Sequence, residues 1–187
     1  MNNLSKRNRS RVFSRLVAVV LGSLVLGSLC LSSVAAGQGQ DRKDYLSSLE
    51  ADKIRDAETP NAKITLFLTY AEDRLKKFQY ELAHPALANH ADILNGMMNG
   101  YQSCVDDAAD LIQLGLEKQQ NVRQGIDLMS SKTKDFLVIL QKIQADAVDI
   151  DIYKNNLDDA LEGTADAMNE AEKAKKKVAP PPVRRRN

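Results

Sequence analysis

Four residues are of types that could do chemistry: Glu81, His84, His90 and Cys104. Glu81 and His84 form an E-x-x-H pair, the spacing with which helical bundles present a carboxylate and an imidazole to a di-iron centre. Such a centre needs a second E-x-x-H and two further inward carboxylates. The other histidine, His90, has Leu87 three residues before it, and Pro85 breaks the helix that would aim His84 inward. Six residues separate His84 from His90, so the two do not share a helix face for a metal. There is also no C-x-x-C-H for covalent haem. A bundle binding a metal or haem through His84 or His90 is therefore the alternative reading. The leading expectation has no catalytic residue, no metal ligand and no cofactor.

Cys104 would need a nearby base and positive surroundings to act as a nucleophile. Its sequence neighbours Asp106, Asp107 and Asp110 work the other way and would raise a thiol pKa. The expectation is a buried or half-buried structural thiol, with an intermolecular disulfide as the lesser option. No glycine-rich phosphate loop, H-E-x-x-H or G-x-S-x-G appears in the chain. The expectation is a protein that is not an enzyme.

Charge gives the clearest pattern. Asp158, Glu162, Asp166 and Glu170 recur at i, i+4 and form one stripe on a helix. Like charges at that spacing each oppose the helix by a few tenths of a kcal/mol, about 1 kcal/mol in all. Solvent, salt and cations of a neighbouring helix such as Lys63, Arg74 and Lys77 could offset this, as could a basic partner or diffusely held divalent cations. "DIDIY" at 149–153 lacks the glycine and terminal glutamate of an EF-hand loop. The tail carries Lys175, Lys176 and Lys177, then three prolines, then Arg184, Arg185 and Arg186. Held near an anionic lipid or envelope polymer, each cation contributes about 1 kcal/mol. The tail could equally fold back over the acidic stripe, or remain solvated.

These groups need elements to position them. Residues 1–36 read as a signal peptide: five cations without an acid, the apolar run "LVAVVLGSLVLGSLCL" and small residues at Val34 and Ala36. The remainder, 37–187, holds 21 Lys and Arg against 25 Asp and Glu, and residues 37–172 alone hold 14 against 25. An acidic body with a basic tail, exported to the periplasm or beyond, is not expected to bind nucleic acid. Only Cys104 remains after the signal, so no internal disulfide can form, and the fold must rest on its apolar core.

"ITLFLTY" at 64–70 alternates like a strand when taken alone. Thr59 and Pro60 are a helix start, however, and Ile64, Leu68, Ala71, Leu75, Phe78 and Leu82 continue at steps of three and four. Ala91 to Ile112 repeats the pattern across "NGMMNG", predicting one continuous helix with close helix approaches at Gly96 and Gly100. Asn89 is its expected cap. Val122 to Ala147 and Leu157 to Ala171 give two more seams. The break between the second and third lies either at Gly115–Gly125 or at "SSKTKD" (130–135). A short helix over 43–57 precedes them all.

The expected fold is all-α: an elongated antiparallel bundle of four to five helices with coiled-coil-like seams. It comprises a flexible 37–42, a helical domain 43–172 and a disordered basic tail 173–187. "EADKIRDAETPNAKITLFLTYAEDRLKKFQYEL" (50–82) and "ILNGMMNGYQSCVDDAADLI" (93–112) resemble segments of exported, all-helical bacterial proteins that remain uncharacterised. The resemblance covers about the first half of residues 37–187 and implies no activity. The expected function is a non-enzymatic interaction or scaffold module of the bacterial cell envelope. Its partner would be a protein or envelope component, or a second copy, with Asp158, Glu162, Asp166, Glu170 and the tail cations as its contact residues.

Overall fold

The computed structural model describes residues 45–178. The expected signal peptide (1–36), residues 37–42 and Arg184 to Arg186 lie outside the described residues. Within them the chain forms five helices and no strand: α1 Ser48–Asp56, α2 Pro60–Ala83, α3 His90–Glu117, α4 Arg123–Asp146 and α5 Ile150–Lys177. No helix among them is long and apolar enough to cross a membrane.

The ambiguous heptapeptide is helical. The Thr59 side chain accepts the Ala62 N–H at 3.2 Å, and Pro60 opens α2, where its missing N–H costs nothing. Ile64, Phe67, Leu68 and Ala71 are buried together, a helical face that a strand could not present. Thr65 and Thr69, on the other face, donate their hydroxyls to the carbonyls of Asn61 and Thr65. α3 runs unbroken through "NGMMNG", as the phase of its apolar residues requires. The α3–α4 break falls at 118–122, the first of the two expected positions.

Four helices share one core. α2 packs on α3, α3 on α5, α5 on α4 and α4 on α2. The spatial order is thus α2–α3–α5–α4, and α3 and α4, consecutive in sequence, stand diagonally. Contacts fix the directions. Arg74 meets Gly100 and Glu81 meets His90, so α2 and α3 are antiparallel. Glu172 meets Ser130 and Asp158 meets Gln144, so α4 and α5 are antiparallel too. Asn95 reaches Ile152 and Tyr101 reaches Thr164, which makes α3 and α5 parallel. Asn61 reaches Gly125 and Glu72 reaches Lys132, which does the same for α2 and α4. Consecutive helices alternate as expected, but two sides of the bundle are parallel. The cause is the diagonal crossing at 118–122.

That crossing is tightly built. Gln120 N–H bonds to Gly115 O at 2.8 Å and Gln119 N–H to Leu116 O at 3.1 Å, a Schellman ending of α3. Gln119 takes the left-handed position, φ 54°, where glycine is usual. Val122 then folds onto Gly115 so closely that a Cβ there would stand 2.2 Å from the valine Cγ1. Val122 gives α4 no side-chain cap. Instead Asn61 of α2 accepts the Gly125 N–H at 2.8 Å and donates to Asn121 O at 2.7 Å.

Of the buried seam residues, Ile64, Leu68, Phe78, Leu94, Met98, Tyr101, Met129, Leu140 and Leu157 are wholly inaccessible. Each large apolar side chain so buried contributes about 1.5–3 kcal/mol relative to exposure. Two rings pack edge-on, Phe78 with Tyr153 at 4.9 Å and Tyr101 with Phe136 at 5.6 Å between centroids. Thr164 donates to Ala160 O, so the buried Tyr101 hydroxyl donates to Thr164 at 2.6 Å.

Four expectations are corrected. α1 begins at Ser48 rather than 43, because Ser47 and Glu50 form a reciprocal capping box. Neither glycine makes the expected close helix approach: Gly96 faces open space, and Gly100 lies at ordinary contact distance from the Arg74 side chain. Asn89 precedes α3 in the left-handed region without capping it through its side chain. α5 continues to Lys177, so 173–177 are helical where the tail was expected to begin.

Candidate functional site

The end of the bundle formed by the α2–α3 loop and the α4–α5 turn gathers the two histidines, with different fates. His84 lies past the end of α2, exposed, stacked on Tyr80 with centroids 4.5 Å apart. His90 opens α3 and is half-buried. Its Nδ1 lies 2.7 Å from Glu81 Oε1, which also accepts the Ala86 N–H at 2.8 Å. Those two hydrogen bonds, that of His90 first, hold the Glu81 carboxyl below the usual carboxylate range. Asp149 of the α4–α5 turn stands on the other side of the ring, its Oδ2 3.6 Å from His90 Nε2. Thus Glu81 pairs with His90 across the loop and not with His84 three residues on. Pro85 is the reason: it ends α2 and turns the chain back. Among the described residues, no group of three or more His, Cys, Asp or Glu side chains is arranged to hold a metal ion.

A shallow cavity of about 240 Å³ lies nearby, between Asn95 and residues 151–156 at the start of α5. Asn95 bridges it, donating to Ile152 O at 3.1 Å and accepting from Asn156 at 2.6 Å.

The second polar cluster surrounds Arg74. The sequence suggested this arginine as a counter-charge for the acidic stripe. Instead it is buried between α2 and α3 and held by α1. Its guanidinium bonds Glu50 through two nitrogens, at 2.6 and 2.8 Å, and Tyr45 O at 3.2 Å. The Arg74 side chain passes Gly100 at ordinary contact distance: a Cβ there would sit 3.6 Å from Arg74 Cγ. Hydrogen bonding to Arg74 brings the Glu50 carboxyl down to about 2. α1 has no fully buried residue, so this pair fastens it together with the partly buried Ile54 and, just before the helix, Tyr45 and Leu46.

Cys104 is wholly buried and forms no disulfide. One turn beyond Gly100, on a helix antiparallel to α2, it stands opposite Tyr70, one turn before Arg74. The thiol therefore has a cation near it as well as the three aspartates in its own sequence neighbourhood. The Tyr70 phenol is pushed up, by burial first and then by the Glu50 charge.

The acidic stripe of α5 is only partly paired. Lys154 meets Asp158 at 2.7 Å and Gln144 donates to it at 3.3 Å. Glu162, Asp166 and Glu170 are exposed and make no ion pair among the described residues. Lys77 is taken by Asp73 of its own helix at 2.7 Å. Further along α5, Lys175 bridges to Asp127 of α4 at 3.1 Å, while Lys176 and Lys177 are exposed. Sequence reasoning missed the interhelix ties: Glu72 with Lys132 at 2.6 Å, and Glu172 with Ser130 and Lys134. Only the pairing of helices could have shown them.

No family model matches the chain, and none of the curated proteins or solved structures is significantly similar to it.

Proposed function

We propose that this chain is a non-enzymatic interaction or scaffold module of the bacterial cell envelope, exported by its N-terminal segment. The observation that carries the reading is the charge distribution along α5. Glu162, Asp166 and Glu170 stand in one exposed row and make no ion pair among the described residues. One turn on, Lys175, Lys176 and Lys177 reverse the sign. A row of unpaired like charges is a cost to the helix of a few tenths of a kcal/mol per pair. A basic partner surface removes that cost on binding. The cations beyond offer a second contact of opposite sign, which fixes orientation as well as attraction.

The test is affinity capture from envelope extract with full-length protein and with the variant Glu162→Gln, Asp166→Asn, Glu170→Gln. The reading expects a partner that salt releases and that the variant fails to retain. Identical captures by both proteins would remove the α5 row from the account. The tail has its own test: deleting 178–187 should leave helicity unchanged and weaken binding to anionic vesicles at low salt.

A further inference from the structure

Ala160, Thr164, Ala167, Ala171 and Ala174 turn one side of α5 into the bundle. The opposite side carries Glu162, Asp166, Asn169, Lys173 and Lys177, all exposed, at steps of four, three, four and four. Residues so spaced lie along one side of a helix. Glu162, Asp166, Lys173 and Lys177 make no ion pair among the described residues, although Lys154, Glu172 and Lys175 of the same helix do. The outer face of α5 is therefore a strip with an acidic half, a neutral amide at its middle and a basic half.

Such a strip is its own complement when turned end for end. A second copy can lie with its α5 antiparallel and the two-fold axis between Asn169 and Glu170. Glu162 of one copy then stands opposite Lys177 of the other, Asp166 opposite Lys173, and Asn169 opposite Glu170. The symmetry makes each of these pairings twice. A parallel arrangement would set acid on acid and lysine on lysine, which repels. A purely basic partner would satisfy the acidic half and face Lys173 and Lys177 with like charge. A second copy satisfies both halves.

We propose that this chain pairs with a second copy of itself through the outer face of α5, antiparallel and two-fold symmetric. The proposal rests on the reading of that face as a contact surface, and it names the partner. The strip holds no large apolar side chain, so charge holds the pair together. Each exposed ion pair adds no more than about fivefold to the affinity, and salt weakens all of them at once. The association is a reversible one, with its register and orientation set by charge.

The experiment is sedimentation equilibrium of the full chain at low and at high salt, with charge-reversed variants. The wild type should form a dimer at low salt, weakened at least about tenfold at high salt. Asp166→Lys and Lys173→Asp should each weaken it at least about tenfold, because symmetry places each change at both copies of the pair. The double variant carrying both changes should regain the dimer. So should an equimolar mixture of the two single variants, since each supplies the charge that the other has reversed. Lys76→Asp, the same change of charge on α2, which is diagonal to α5, should leave the association as it is. All of these side chains are exposed, and circular dichroism should show unaltered helicity. A chain that is monomeric at low salt, a dimer that salt does not weaken, or single variants that stay apart when mixed would each overturn the proposal. If the chain is monomeric while envelope capture still depends on Glu162, Asp166 and Glu170, self-pairing alone falls and the row serves another partner.

Discussion

The two ends of the bundle are closed by different means. At the α3–α4 crossing, backbone and apolar groups do the work. A Schellman ending satisfies the last carbonyls of α3, Val122 fills the space that Gly115 leaves, and Asn61 caps α4 from a neighbouring helix. At the other end the closure is made by polar side chains: Glu81, His90 and Asp149, each on a different segment. Around them Leu87 is fully exposed, and Val148 and Ile152 are 48% and 37% exposed. The first end satisfies its backbone groups internally and packs Val122 against Gly115, though its loop side chains are exposed. The second leaves polar and apolar side chains facing outward. α1 is a third case, docked on the flank by one ion pair and a few partly buried apolar side chains.

The core between the ends should dominate any stability measurement. Leu75→Asp, Met98→Asp or Leu140→Asp each bury an unpaired charge at a fully enclosed position. Each should cost more than about 4 kcal/mol and abolish cooperative melting by circular dichroism. Native-like melting of any one would refute the helix register.

Glu50→Gln comes next, at about 1.5–3 kcal/mol for the loss of charged hydrogen bonds to Arg74. The pH dependence has a definite sign. Folding lowers the Glu50 pKa from 4.5 to about 2. Its contribution is therefore complete above about pH 4.5 and is lost as pH falls toward 2. Denaturant melts across that window should show wild type losing stability that the Gln variant has already lost. Parallel acid profiles would mean that the pair contributes nothing to holding α1.

Glycine substitutions separate the ends by sign. Gly115→Ala places a methyl group against Val122 and should lower stability by about 1–3 kcal/mol. Gly96→Ala points into open space near the charged end and should raise it by up to about 1 kcal/mol. Equal effects would erase the contrast between a packed and an open end.

Much of this architecture was legible in the residues. The periodic apolar positions placed α2 through α5, and Thr59 with Pro60 placed the start of α2, because those signals are local. Apart from the local start of α1 and the continuation of α5 to Lys177, the unforeseen features depend on which helices become neighbours. The diagonal α3–α4 crossing, the cap supplied by Asn61 and the burial of Arg74 under α1 have no local signature. The site followed the same rule. The pair Glu81 and His84 looked meaningful because i, i+3 residues share a helix face. The helix ended first, and Glu81 met His90 nine residues on, with Asp149 coming from a turn about sixty residues away in sequence. The α5 stripe was visible from its spacing. That Lys154 neutralises only Asp158 of its four members was not.

The contrast between the ends is tested most directly by native-state amide hydrogen exchange across the chain. Amides of 113–126 should exchange only with global unfolding, at the full unfolding free energy. Those of 84–92 and 147–153 should exchange through local opening, measurably faster and with little dependence on denaturant. Equal protection at both ends, or faster exchange at the α3–α4 crossing, would contradict the division into a tightly packed end and a loosely packed one.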